Sequence, residues 1–117
     1  MREAINQAAQ DVLSERKRQI SVEGYDPAHD DQHVNGEIAL AAACYATPIP
    51  LFRHEVYAAR YQFDDPWPWE AESDRRPHNG NILLPTEKWT YAKRRDLLVK
   101  AAALLIAEIE RLDRATP

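Results

Sequence analysis

From Leu97 to Ala107 the only polar side chain is Lys100, and this run constrains the fold more than any other part of the chain. Leu98, Ala102, Leu105, Ile109 and Leu112 recur at helical spacing, and Val99, Ala103 and Ile106 make a second stripe. A surface helix needs one apolar face, so a helix with two must be covered on more than one side. The pattern predicts a central core helix over about 87–114 with polar, arginine-rich ends. A second run, Ile38 to Ala46, carries only small or apolar side chains and Tyr45. It predicts a helix over 30–46 that is buried all round, started by Asp30 or Asp31 as a cap. Thr47-Pro48-Ile49-Pro50 ends it, because proline disfavours helix in the residue before it. Both runs fall far short of the ~20 apolar residues a membrane helix needs.

Ile5, Ala8, Ala9, Val12 and Leu13 form one apolar stripe and predict a further helix over about 2–19, broken by Gly24 and Pro27. Between the second and third helices, residues 47–86 hold six of the eight prolines and two of the three tryptophans. Leu51–Gln62 is expected to form a short helix, and Phe63–Pro85 an irregular loop with Asp-Pro, Trp-Pro and His-Asn-Gly turn signals. No strand alternation is evident. The expected class is all-α in a single domain of 117 residues, with three long helices and a short one. Three such apolar helices cover one another poorly. The expected solution is a homodimer, or a higher homo-oligomer, whose paired helices complete a helical bundle. The alternative is that the Trp-rich loop folds back over them.

Cys44 is the only cysteine, so no internal disulfide can form. The net charge of −4 argues against general nucleic-acid binding. Met1-Arg2-Glu3 lacks the apolar stretch of a signal peptide, so a cytoplasmic location is expected, with no membrane partner. The acids concentrate in Asp26–Glu37 and Asp64–Asp74.

The first of these stretches is the most informative. On one helix, His29, His33 and Glu37 would be spaced i, i+4, i+8 and line one face. Carboxylates at a helix start suit Mg²⁺ or Mn²⁺, and imidazoles suit Zn²⁺. Capping is the plain alternative for Asp30 and Asp31. Glu37 opens an otherwise apolar helix and needs a partner or a metal. Asp96 and Lys100, four apart, can pair with each other or face inward. Arg16 and Arg18 either complement a helix C-terminus or recognise phosphate, with Glu15 turned toward the other acids. Trp67 and Trp69, rigidified by prolines, either stack on a nucleobase or pack over an apolar face, and packing is the commoner role.

Glu15-Arg16-Lys17-Arg18-Gln19, Glu23-Gly24-Tyr25, the His29–Glu37 cluster and Gly36-Glu37-Ile38-Ala39-Leu40-Ala41 together resemble prophage-encoded proteins related to the MazG-like all-α nucleotide pyrophosphohydrolases. Arg95-Asp96-Leu97-Leu98-Val99-Lys100 and Ala107-Glu108-Ile109-Glu110-Arg111 resemble the same group. The resemblance implies a helical oligomer that binds a nucleoside triphosphate with Mg²⁺ (or Mn²⁺) and releases a monophosphate and pyrophosphate. It implies Glu37 and Asp96 as catalytic metal ligands, helped by Asp30, His33 and Glu15. Arg16, Arg18, Lys100 and Arg95 would contact phosphates, and Trp67, Trp69 or Tyr25 the base. The family's Glu-Glu-x-x-Glu reads His33-Val34-x-x-Glu37 here, and Val99 stands three after Asp96 where an acid is usual. The alternative function is a non-catalytic phage accessory protein that binds a nucleotide or a host protein.

Overall fold

The computed structural model describes residues 6–49, 51–57 and 60–115. Helix α1 (Gln7–Ser21) starts where the Asn6 side chain accepts the Ala9 N–H at 2.8 Å. The part of this helix expected before residue 6 lies outside the described residues. The helix expected over 30–46 is two helices, α2 (Pro27–Asp30) and α3 (Glu37–Ala46). Asp26 caps α2 by accepting the His29 N–H at 2.9 Å, and Pro27 occupies its first position, where a missing N–H costs nothing. Asp30 and Asp31 therefore end a helix instead of starting one. Gly36 then takes φ +82°, a left-handed conformation that favours glycine, and reorients the chain into α3. Helix α4 (Tyr91–Ala115) begins later than residue 87, because the Thr90 hydroxyl accepts the Lys93 N–H at 3.1 Å.

The middle of the chain corrects the all-α expectation. The molecule is mostly helical, but the described residues of 51–62 hold no helix. Strands β1 (Arg53–Tyr57) and β2 (Arg60–Asp64) pair antiparallel there, with Arg53 opposite Asp64 and the His54 ring stacked on Phe63 at 5.2 Å. A second, smaller hairpin joins β3 (His78–Asn79) to β4 (Ile82–Leu83) through Gly80 at φ +61°. Short 3₁₀ turns occupy Ala71–Ser73 and Thr86–Lys88. No helix among the described residues is long and apolar enough to cross a membrane.

Helices α3 and α4 pack antiparallel, with the Arg94 guanidinium donating to Ala46 O at 2.8 Å where α3 ends. Ile38, Ala41, Ala42 and Tyr45 meet Leu97, Ala101, Leu104 and Ala107. The alanines let the backbones approach closely. The fully buried Ile38 and Leu97 each contribute about 1.5–3 kcal/mol by leaving water. Cys44 is buried on α3, and burial pushes its thiol pKa up to about 11.

The long connection does fold back over α3. Trp67, Trp69, Trp89 and Tyr25 pack on the core edge. Tyr45 Oη donates to Ser73 O at 3.2 Å and accepts the Arg75 N–H at 3.0 Å. Arg76 is buried beneath the Trp67 ring and donates to Asp74 at 2.7 Å and Asp65 at 2.9 Å. Packing is thus the visible role of Trp67. The loop does not cover all of α4. Its core side is the Leu97, Ala101, Leu104 line, whereas the Leu98, Ala102, Leu105, Ile109, Leu112 stripe lies one residue on, about 100° round the helix. Leu98 (42%), Leu105 (47%), Ile109 (58%) and Leu112 (53%) are exposed. Of the two stripes expected to be covered, the first faces mostly outward, while Ala103 of the second is buried.

Candidate functional site

Two charged clusters sit near opposite ends of α4, and they divide the expected site residues between them. The first gathers α1, α2 and the last turns of α4. Arg16 is buried and uses its whole guanidinium: Nη2 donates to Asp30 Oδ2 at 3.0 Å, Nε to Glu110 Oε1 at 2.9 Å, and Nη1 to Tyr25 O at 3.0 Å. Asp30 is 1% exposed, so it requires such a cation. Its Oδ1 meets His29 Nδ1 at 2.8 Å. His29 Nε2 faces His33 Nε2 at 3.3 Å, and His33 Nδ1 meets Glu37 Oε2 at 3.2 Å. Burial would raise the Glu37 pKa, but its own and the Asn35 backbone N–H groups, with the His33 ring, hold it below the usual carboxylate value. Tyr25 stacks on His29 at 4.7 Å, and Trp69 presents an edge-on contact to His33 at 5.4 Å.

His29, His33 and Glu37 therefore do converge, though not by sharing a helix. The break at 31–36 itself carries His33 and turns its ring back onto His29 of α2 and Glu37 of α3. Arg16, expected to bind phosphate, is instead the internal counter-ion of Asp30. Glu110, which completes this network, was not a candidate. Its partner lies 94 residues away in sequence. The available signal was the buried acid's need for a cation.

The second cluster lines a cleft of about 480 Å³ between α1 and the first turns of α4, walled by Asp11, Ser14, Glu15, Arg18, Arg95 and Asp96. Arg18 grips both oxygens of Glu15, at 2.7 and 2.8 Å, and also donates to Glu23 at 3.0 Å. These carboxylates hold the Arg18 pKa above its usual value, with the bond from Glu15 the main cause. Lys100 Nζ donates to Asp96 at 2.9 Å and stands 3.9 Å from Glu15. Arg95 pairs with Asp11 at 2.7 Å. That bond is the main reason why the Asp11 pKa lies below the ordinary value.

Glu37 and Asp96 do not share a site. Glu37 opens α3, while the helix's other end is held at Arg94, two residues from Asp96. Nine rises along α3, less the two from Arg94 to Asp96 on the antiparallel α4, leave about 10 Å between them along the axis. Of the expected residues, Asp30, His33, Glu37, Arg16, Tyr25 and Trp69 fall at the first cluster. Glu15, Asp96, Arg18, Arg95 and Lys100 fall at the second. Among the described residues no three His, Cys, Asp or Glu side chains are arranged to hold a metal ion by themselves. Comparisons with family models, with curated proteins and with solved structures found no match.

Proposed function

We propose that the cleft between α1 and α4 takes the phosphate chain of a nucleoside triphosphate and that the chain is a Mg²⁺-dependent pyrophosphohydrolase. The observation that carries this reading is the make-up of the cleft: acids and arginines from two helices, Asp11, Glu15, Arg18, Arg95 and Asp96, line one open space. Mg²⁺ is normally held by one or two carboxylates together with substrate phosphates, not by an all-protein cage. The cation would thus be supplied with the nucleotide. Arg18 and Arg95 would contact phosphate oxygens, and the more exposed Asp11 and Asp96 would hold the metal, which when bound would supply charge neutralisation and an activated water, with the buried Glu15 kept behind them by Lys100 and Arg18. Glu37 is not among the residues that wall the cleft and has no part in this step.

The test is a product assay with ribo- and deoxyribonucleoside triphosphates in Mg²⁺, Mn²⁺ or chelator. Metal-dependent release of monophosphate and pyrophosphate is expected, and its loss in Asp96→Asn with an unchanged circular-dichroism spectrum assigns it to the cleft. Absence of turnover on every nucleotide overturns the reading. It would leave the second one, a non-catalytic accessory module that pairs with a copy of itself. The exposed α4 stripe favours that second reading, since its 4,3,4,3 spacing is that of a helix pairing seam. Sedimentation would then show a dimer that Leu105→Glu converts to a monomer.

A further inference from the structure

We propose that His29 and His33 form a binding site for a transition-metal dication such as Zn²⁺ or Co²⁺, between α2 and the start of α3. Each ring has its Nδ1 on a carboxylate, His29 on Asp30 and His33 on Glu37. A neutral imidazole carries one N–H. With that hydrogen donated from Nδ1, each Nε2 is a bare lone pair, and the two Nε2 atoms face each other at 3.3 Å. Lone pairs so placed repel, and a cation between them removes the repulsion. Two imidazoles on a tetrahedral ion with metal–nitrogen bonds of ~2.0–2.1 Å stand about 3.3–3.4 Å apart. The rings are already at that spacing.

The surroundings match. A carboxylate behind each ligating histidine fixes its tautomer and orientation and raises its basicity. Tyr25 against the His29 face and Trp69 against His33 hold the rings in place. Asp30 turns its other oxygen to Arg16, whose charge Glu110 also shares, while Arg111 pairs with Glu108 and Arg114 with Asp31, so with Glu37 the carboxylates around the site outnumber the guanidiniums. The His29 and His33 side chains are 29% and 21% exposed, which leaves solvent a path to them. Water completes the coordination. Imidazole donors select Zn²⁺, Co²⁺ and Ni²⁺ over Mg²⁺, so this site is chemically distinct from the phosphate cleft and does not depend on it.

The experiment is a titration of the chelator-stripped full chain with Co²⁺, followed by visible absorption, and with Zn²⁺, followed by calorimetry. One ion per chain is expected, with Co²⁺ ligand-field bands. His29→Ala and His33→Ala should each abolish the signal, and His54→Ala and His78→Ala should keep it. Glu37→Gln should keep the bands and weaken affinity by about tenfold, since it changes only the group behind a ligand. Circular dichroism checks that each variant folds. Failure of the wild-type chain to bind either ion at millimolar concentration overturns the proposal, because a proton shared between the rings then suffices. Unchanged binding by the double variant of His29 and His33 overturns it as well.

Discussion

Near the C-terminal end of α4, Arg16 and Asp30 are sealed from water, and the guanidinium has carboxylate or carbonyl partners on every edge. Near its N-terminal end, the side chains of Asp96 and Arg95 stand 45% and 54% exposed beside a cleft, each with a partner that another group could replace. Both are ion-pair networks of the same residue types. Buried charges have lost their hydration and cannot exchange partners without a large cost, so they fix where α1 and α2 sit. Exposed charges keep most of their hydration, contribute little to stability and remain free to turn to an incoming anion. Burial thus separates a charge that builds the fold from one that can bind.

Removing the buried cation should break this contrast most severely. Arg16→Ala leaves Asp30 and part of Glu110 without a counter-ion, and a loss of about 3–5 kcal/mol in unfolding free energy is expected by urea denaturation. A loss under about 1 kcal/mol would mean that water reaches Asp30 and that the two ends do not differ.

Acid should act next, and on both ends. Glu37 in the first cluster, Asp11 in the second and Glu23, which Arg18 and Arg75 share, all have folded-state pKa values below the ordinary 3.8 or 4.5. The unfolded chain therefore binds more protons as the pH falls. Their contribution is fully present above the ordinary value and is lost as the pH drops through the folded values. Urea midpoints should hold from pH 7 to about 5 and fall below it. A midpoint that stayed flat to pH 3 would contradict the shifts.

Asp96→Asn should change stability least, by under about 1 kcal/mol, since Asp96 is exposed and its partner Lys100 keeps Glu15 nearby. Its effect on nucleotide turnover should be large, roughly a hundredfold. A residue at the open end is thus expected to matter for chemistry and not for folding, the reverse of Arg16.

The sequence showed α1 and α4 clearly, because their apolar residues repeat at helical spacing over many turns. It did not show the break at 31–36, because the Asp30–Glu37 stretch is rich in residues that cap or continue a helix, and Asn35-Gly36 was the one stop signal. The 53–64 hairpin was hidden for another reason. Val56 and Phe63 are exposed, so no buried face imposes an alternating pattern on that segment. Which side of α4 faces inward was also illegible: the core line Leu97, Ala101, Leu104 is neither of the two stripes named, since the helix is apolar nearly all round there and only the docked position of α3 decides. The site residues were recognised individually. Their grouping depends on pairs such as Arg16 with Glu110 and Lys100 with Glu15, which join parts of the chain far apart in sequence.

Cys44 turns the cover over α3 into something that can be timed. It is buried on α3 within the field of Arg76, Asp65 and Asp74 of the folded-back connection, and with a pKa near 11 it carries almost no thiolate at neutral pH. An alkylating reagent therefore cannot modify it in the closed molecule. Each modification records an event in which α3 and the connection folded over it came apart, so the labelling rate of a single native thiol counts openings of that cover without any added probe.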